Sequence, residues 1–277
     1  MTRLKAAGIS LAYDDEDVVF DLDVEIPDHQ LTAIVGPNAC GKSTLLRAMA
    51  RLMRPRAGGV YLDGQLIHQR PTRDVAREMG LLPQGPSAPE GITVEDLVGR
   101  GRFPHHRWFE QWTEQDAAAV EGALALTDMA SLRDRRVDEL SGGQRQRAWI
   151  AMVLAQDTPI MLLDEPTTYL DVAHRLEVLN LLATLNEIEE RTIVIVLHDL
   201  NEACRYAHRL VMMKEGRIVA EGPPRAVVTE SRIEDVFGIR CKVIADPVTG
   251  APLYLPAARE PSSPRVGQKK KGAATGS

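Results

Sequence analysis

"IVGPNACGKSTLLRAMA", Ile34 to Ala50, decides how the rest of the chain is read. An apolar run enters it, glycines stand at 36 and 41, Lys42 and Ser43 follow, and a helical pattern continues from there. This is the spacing GxxxxGK[ST] in the strand-then-helix context that the motif requires. A loop of Gly36, Pro37, Asn38, Ala39, Cys40 and Gly41 running into Lys42, Ser43 and Thr44 can wrap phosphates with backbone N–H groups and a helix N-terminus. Lys42 can neutralise the β and γ groups, and Ser43 can ligate Mg²⁺. Such loops usually carry another glycine where this one has Ala39. The loop there is expected to use a positive φ, which alanine adopts at about 1–2 kcal/mol.

Outward from the loop, residues 3–35 alternate apolar and polar positions and end in the apolar "LTAIV", which predicts three strands. After the loop helix, "GGVYLDGQLI" predicts a hairpin around Asp63-Gly64, and "MGLLPQ" a buried strand ending at Gln84. From about residue 86 to 156 the segments turn mostly helical, a candidate inserted helical subdomain. The core resumes as strand "PIMLLDE", helix "VAHRLEVLNLLATLNEIEE", strand "RTIVIVLHD", helix "LNEACRYA" and hairpin "RLVMMKEGRIVAEG". Such βα alternation with fully apolar strands predicts a parallel sheet covered on both faces. One domain over residues 1–258 and a disordered tail at 259–277 follow, the tail having almost no large apolar residues.

Three further groups, and Tyr13 beside them, bear on chemistry. Asp164 and Glu165 end a buried strand beside the loop, where Asp164 can hold Mg²⁺ and Glu165 can polarise an attacking water; alone, the pair equally reads as a cap for the next helix. Ser141 and Gln144 have capping-box spacing, and Gly142 and Gly143 behind the cap leave a helix end open to an anion. His198 leaves another buried strand on the side of Glu165, placed to sense a γ-phosphate, ahead of an Asp199/Glu202 capping pattern. Tyr13 suits adenine stacking or core filling alike.

The 277 residues are 44% hydrophobic and 26% charged, enough for a full core. No apolar run approaches the roughly 20 residues that span a bilayer, and the acidic start has no cleavage site, so a cytoplasmic protein is expected. A net charge of -6 argues against nucleic acid as partner. Cys40, Cys204 and Cys241 suit reduced thiols rather than a disulfide or zinc framework.

GPNACGKST, Gln84, LSGGQ, IMLLDEP, "YLD" at Tyr169 to Asp171, and His198 resemble, in order, the ATP-binding cassette family over about Arg3 to Tyr254. The resemblance implies an α/β P-loop NTPase: a mostly parallel sheet core, an N-terminal antiparallel β subdomain and an inserted helical subdomain. It makes these stretches the Walker A loop, Q-loop, signature, Walker B with catalytic Glu165, D-loop and H-loop. Ser43, Gln84 and Asp164 become Mg²⁺ ligands, and Lys42, Gln84 and His198 join Glu165 in catalysis. Two copies would sandwich two ATP molecules head to tail, so that Ser141, Gly142, Gly143, Gln144 and Asp171 serve the nucleotide held by the partner's Lys42.

"TVEDLVGRGRFPHH", "DEPTTYLDVAHR" and "IRCKVIADPVTGAPLYLP" resemble the cassettes of ferric-siderophore importers of the ferric-enterobactin type, with haem and cobalamin importers as neighbours. That resemblance implies a peripheral subunit at the cytoplasmic face of the membrane, a permease docked near Gln84 and Thr93 to Pro104, and indirect dependence on a periplasmic or lipoprotein substrate-binding protein. A soluble cassette acting on DNA or ribosomes fits less well, since no coiled coil separates Lys42 from Ser141 and only one cassette is present. A scaffold without turnover would lack Glu165 or His198; both are present.

Overall fold

The computed structural model describes residues 2–106, 111–168 and 170–257. Its elements run β1 (Thr2–Tyr13), β2 (Glu16–Pro27), β3 (Leu31–Val35), α1 (Lys42–Met49), β4 (Ala57–Leu62), β5 (Gln65–Leu66), α2 (Thr72–Glu78), β6 (Met79–Leu82), α3 (Val94–Gly99), α4 (Glu114–Leu126), α5 (Gly142–Ala155) and β7 (Ile160–Asp164). Then follow α6 (Val172–Glu189), β8 (Thr192–Val196), α7 (Leu200–Tyr206), β9 (Arg209–Lys214), β10 (Arg217–Gly222), α8 (Pro224–Val227), α9 (Glu230–Phe237), β11 (Cys241–Ala245) and β12 (Pro252–Pro256).

The apolar runs form the centre. β3, β7 and β8 are buried at every position, as expected of strands covered on both faces. They lie inside a six-stranded sheet of order β10-β9-β3-β8-β7-β6, parallel throughout except for the β9–β10 hairpin. Period-two alternation splits their side chains between two cores. Leu31, Ala33, Met161, Leu163, Ile193 and Ile195 pack with α3 to α7, whereas Ile34, Ile160, Leu162, Val194 and Val196 pack with α1 and the antiparallel sheet β2-β1-β4-β5. The α/β fold read from the sequence, parallel centre and antiparallel N-terminal sheet included, is the one observed.

Both expected hairpins turn on two residues of positive φ, Asp63 (53°) with Gly64 (75°) and Glu215 (48°) with Gly216 (75°), the geometry that matches strand twist. Three readings shift. β6 stops at Leu82 rather than Gln84, because Pro83 has no N–H for the ladder. β8 stops at Val196: the Leu197 N–H still reaches the Ile34 carbonyl of β3 at 3.2 Å, while His198 and Asp199 stand beyond the sheet. The capping pattern before α7 is one-sided: Asp199 accepts the N–H groups of Asn201 and Glu202, while the Glu202 side chain turns to Arg175. The expected tail at 259–277 and Tyr169 lie outside the described residues.

Two contacts hold separate parts of the chain together. Arg102 and Asp116, each 4% exposed, pair at 2.9 Å, and Arg102 also donates to the Ala155 carbonyl at the end of α5. The turn at Gly216 ties the phosphate loop to both sheets: its N–H donates to the Cys40 carbonyl at 3.1 Å, and its own carbonyl accepts from the N–H of Phe20 on β2.

Candidate active site

Parallel strands bring their C-terminal ends to one edge of the sheet, where α/β proteins bind ligands. β3 delivers the phosphate loop, β7 delivers Asp164 and Glu165, β8 leads to His198, and β6 leads to Gln84. With Tyr13 at the end of β1, they surround a cavity of about 650 Å³.

The loop has a closed and an open side. Gly36 has φ 153°, and a Cβ there would lie 2.2 Å from the Met213 carbonyl oxygen; Gly41 has φ 100°, and its Cβ would lie 3.0 Å from Val19. Only glycine fits either place. Ala39 has φ 61°, the positive value expected of it, and is exposed at the cavity. Cys40 points the other way: it is buried, and burial pushes its thiol pKa up. The buried Lys42 ammonium donates to the carbonyls of Gly36 (3.0 Å) and Pro37 (2.8 Å).

Ser43 donates its hydroxyl to Asp164 Oδ1 at 2.8 Å. Burial raises the Asp164 carboxyl above the ordinary range, against the Ser43 bond, which lowers it. Glu165 follows with φ 53° and an 8% exposed side chain, a sparsely populated backbone region of the kind that collects at functional sites. Its Oε1 lies 2.6 Å from His198 Nε2, and its Oε2 accepts from Gln84 Nε2 at 2.7 Å and Thr168 Oγ1 at 3.2 Å.

Tyr13 does not fill the core: it is 44% exposed, lines the cavity, and accepts a bond from Arg47 at 3.1 Å. Ser141 caps α5 with the expected box, its Oγ accepting from Gln144 N–H while Gln144 Oε1 accepts from Ser141 N–H. Asp171 caps α6.

The cavity thus gathers Tyr13, Asn38, Ala39, Gly41, Lys42, Ser43, Thr44, Gln84, Glu165 and His198, with Asp164 bonded to Ser43 beneath. Gly36, Pro37 and Cys40 form the loop's inner turn. Ser141, Gly142, Gly143, Gln144 and Asp171 do not line it. Thr168, Glu16 and Val18, which do, and Arg47, which holds Tyr13, escaped the sequence reading. The repeated threonine of "EPTT" gave no sign which of the two turns back to Glu165, and no motif marks the strand residues of β2 at all.

The sequence profile of the ABC transporter family matches residues 19–168, over half the chain. The chain belongs to the ABC transporter family. Within that family it is 54% identical to the probable siderophore transport system ATP-binding protein YusV of Bacillus subtilis, over 94% of both chains. It is 52% identical to the ferric enterobactin transport ATP-binding protein FepC of Escherichia coli, over 94% of this chain and 96% of that one. Its fold superposes on the dimeric structure of MJ0796, a bacterial ABC transporter cassette, with TM-score 0.71 and 26% identity, covering 79% of this chain and 98% of that one. Among the described residues, no helix is long and apolar enough to cross a membrane.

Proposed function

We propose that this chain is the ATP-hydrolysing subunit of an importer, a peripheral protein on the cytoplasmic face of the membrane that drives a ferric siderophore through a membrane permease. The observation that carries the reading is the carboxylate of Glu165, held between Gln84 and His198 across a cavity from the Lys42–Ser43 loop. Relatives named for siderophore and ferric enterobactin transport support the substrate class.

Tyr13 stacks on the adenine, steadied by Arg47, and the phosphates lie along the N–H groups from Asn38 to Thr44. On binding, the Lys42 ammonium exchanges the Gly36 and Pro37 carbonyls for phosphate oxygens. Glu165 orients a water and takes its proton as the oxygen bonds to the γ-phosphorus; the bond from phosphorus to the bridging oxygen breaks, leaving ADP and phosphate. His198 moves from Glu165 to the γ-phosphate.

Mg²⁺ fits this donor set. The Ser43 hydroxyl, the buried Asp164 carboxylate and the Gln84 amide oxygen are hard oxygen ligands, and this ion is usually held by one or two carboxylates plus substrate phosphates. When bound, the ion neutralises charge on the β and γ groups.

Ser141 to Gln144 and Asp171 stay outside the cavity of their own chain; in the head-to-tail pairing that the family resemblance implies, they complete the site of a second copy. ATP closes the pair through contacts available only in the closed state, and hydrolysis removes them. Gln84 reports the change to the permease, which docks near it and along Thr93 to Pro104, while a substrate-binding protein feeds the permease from the far side. Deleting the gene in its own host tests this: growth should fail when iron is offered only as ferric siderophore, return with the wild-type gene, and not return with Glu165→Gln. Undiminished uptake in the deletion strain rejects the assignment.

A further inference from the structure

Gly143, the second glycine of the Ser141-Gly142-Gly143 turn, faces its own chain. Neither Gly142 nor Gly143 has a positive φ, so left-handed backbone does not demand glycine at either place. A Cβ on Gly142 would meet nothing within 4 Å, leaving that residue open to whatever docks on the helix end. A Cβ on Gly143 would lie 2.7 Å from Cδ2, 2.8 Å from Cγ and 3.2 Å from Cβ of His174. All three nearest atoms belong to one side chain.

That side chain is held in place. Oδ1 of Asp171, the cap of α6, accepts the His174 backbone N–H at 3.0 Å and lies 2.8 Å from its Nδ1. The next residue, Arg175, donates to the Leu170 carbonyl and to Glu202 on α7, both at 3.3 Å. Asp199, the cap of α7, directly follows His198. The first turn of α6 therefore touches the signature glycine on one side and the helix behind His198 on the other.

We propose that His174 is a positioning residue for ATP hydrolysis: its ring, locked by Asp171, is the stop against which Gly143 seats, and it sets where the signature turn stands relative to the Glu165–His198 end of the same chain. The proposal rests on the shared-site reading above, in which Ser141 to Gly143 serve the partner's nucleotide. Displacement of Gly143 by that nucleotide is passed to α6 through the ring and to α7 through Arg175 and Glu202.

The test is a double-mutant cycle in the full chain: wild type, Gly143→Ala, His174→Ala and both together, with His174→Gln as the conservative variant. Alanine is the better helix former, so without a stop Gly143→Ala raises the melting temperature. With the stop it lowers the melting temperature in the wild-type background and stops lowering it once His174 is alanine, whose remaining Cβ at 3.2 Å needs only a small adjustment.

For hydrolysis, Gly143→Ala should reduce kcat by about tenfold or more and the double variant should recover about fivefold of that, couplings of the size shown by contacting pairs. His174→Ala should reduce kcat while leaving the affinity of the single chain for a fluorescent ATP analogue within about twofold, since the Lys42 loop is untouched. His174→Gln, which keeps an N–H for Asp171, should restore most of the loss. A Gly143→Ala chain too unstable to purify, beside a double variant that purifies, supports the stop equally; failure of both overturns it. A damaged Gly143→Ala whose kcat and melting temperature do not depend on His174 overturns the proposal alone. A preserved melting-temperature reversal with undiminished kcat in Gly143→Ala overturns it together with the shared-site reading.

Discussion

His198 Nε2 stands 2.6 Å from Glu165 Oε1, while Gln84 Nε2 stands 2.7 Å from the other oxygen of the same carboxylate. The group placed to activate water thus has both oxygens engaged by the two residues that reach it from neighbouring strand ends. In the mechanism proposed above, a nucleotide that draws His198 toward its phosphate and Gln84 toward its metal would free the carboxylate when there is something to hydrolyse.

Glu165→Gln should therefore abolish turnover without abolishing binding. An amide cannot take the proton of water, and losing a general base lowers rates by about 10²- to 10⁴-fold. Phosphate release should fall by that order while ATP still binds, and an ATP-bound dimer should accumulate on size exclusion. Turnover within a few-fold of wild type would remove Glu165 from the mechanism.

Asp164→Asn should stabilise the nucleotide-free chain yet spoil its metal-dependent ATP binding. Burial raises the Asp164 carboxyl, so the folded chain holds that proton more tightly than the unfolded chain. The ionised carboxylate then subtracts stability above its raised pKa, and the loss fades as pH falls toward the unfolded value of about 4. Melting temperatures in chelator should show the variant above wild type at pH 8, with a gap that narrows in acid. A gap of opposite sign at pH 8 counts against the burial argument.

Lys42→Ala chains mixed with Ser141→Arg chains should form heterodimers with one intact site, built from Lys42 of one chain and Ser141 of the other. Neither mutant alone has one. Occluded ATP in purified heterodimers should exceed that in either homodimer; equal amounts mean that the sites are not shared.

At position 39, φ is 61°. Ala39→Gly should change ATP affinity by at most about tenfold, because relief of about 1–2 kcal/mol is offset by a looser empty loop. Ala39→Val should be far worse, since a β-branched residue is an outlier at positive φ. Titration with a fluorescent analogue decides both; a hundredfold gain in the glycine variant, or no loss in the valine variant, contradicts this account.

Asp116→Ala should be among the most destabilising single changes outside the site. It leaves the Arg102 guanidinium buried without its carboxylate, a kind of break that typically costs about 3–5 kcal/mol. Urea unfolding followed by circular dichroism measures it. A loss under about 1 kcal/mol would mean that Arg102 finds water or another partner.

Much of this architecture was legible in the chain, because strands covered on both faces must be continuously apolar and "LTAIV", "IMLL" and "TIVIV" can be little else. The loop was legible for a related reason: its glycines answer to backbone shape, which spacing records. What lay hidden was settled by packing between distant segments. α2, α8, α9 and the β11–β12 hairpin are short or lie past the last strong pattern, and Asn201, which bonds both backbone groups of Tyr254 to seat that hairpin, looks like any other helix residue. His174 was invisible as a partner of Gly143, since the two meet only after β7 has been threaded between them. Arg102 and Asp116 read as surface charges until each is seen to bury the other.

The two-sided phosphate loop also bears on how such loops are recognised in other chains. A Cβ at Gly36 or Gly41 would press on Met213 of β9, on Cys40, or on Val18 and Val19 of β2, whereas Ala39 projects a single exposed methyl group at the cavity. A search pattern that insists on glycine at all three positions discards this chain for the one residue that had room to differ. A pattern drawn from steric clearance keeps it, and would reject a chain with alanine at the position of Gly36 even if every other letter matched.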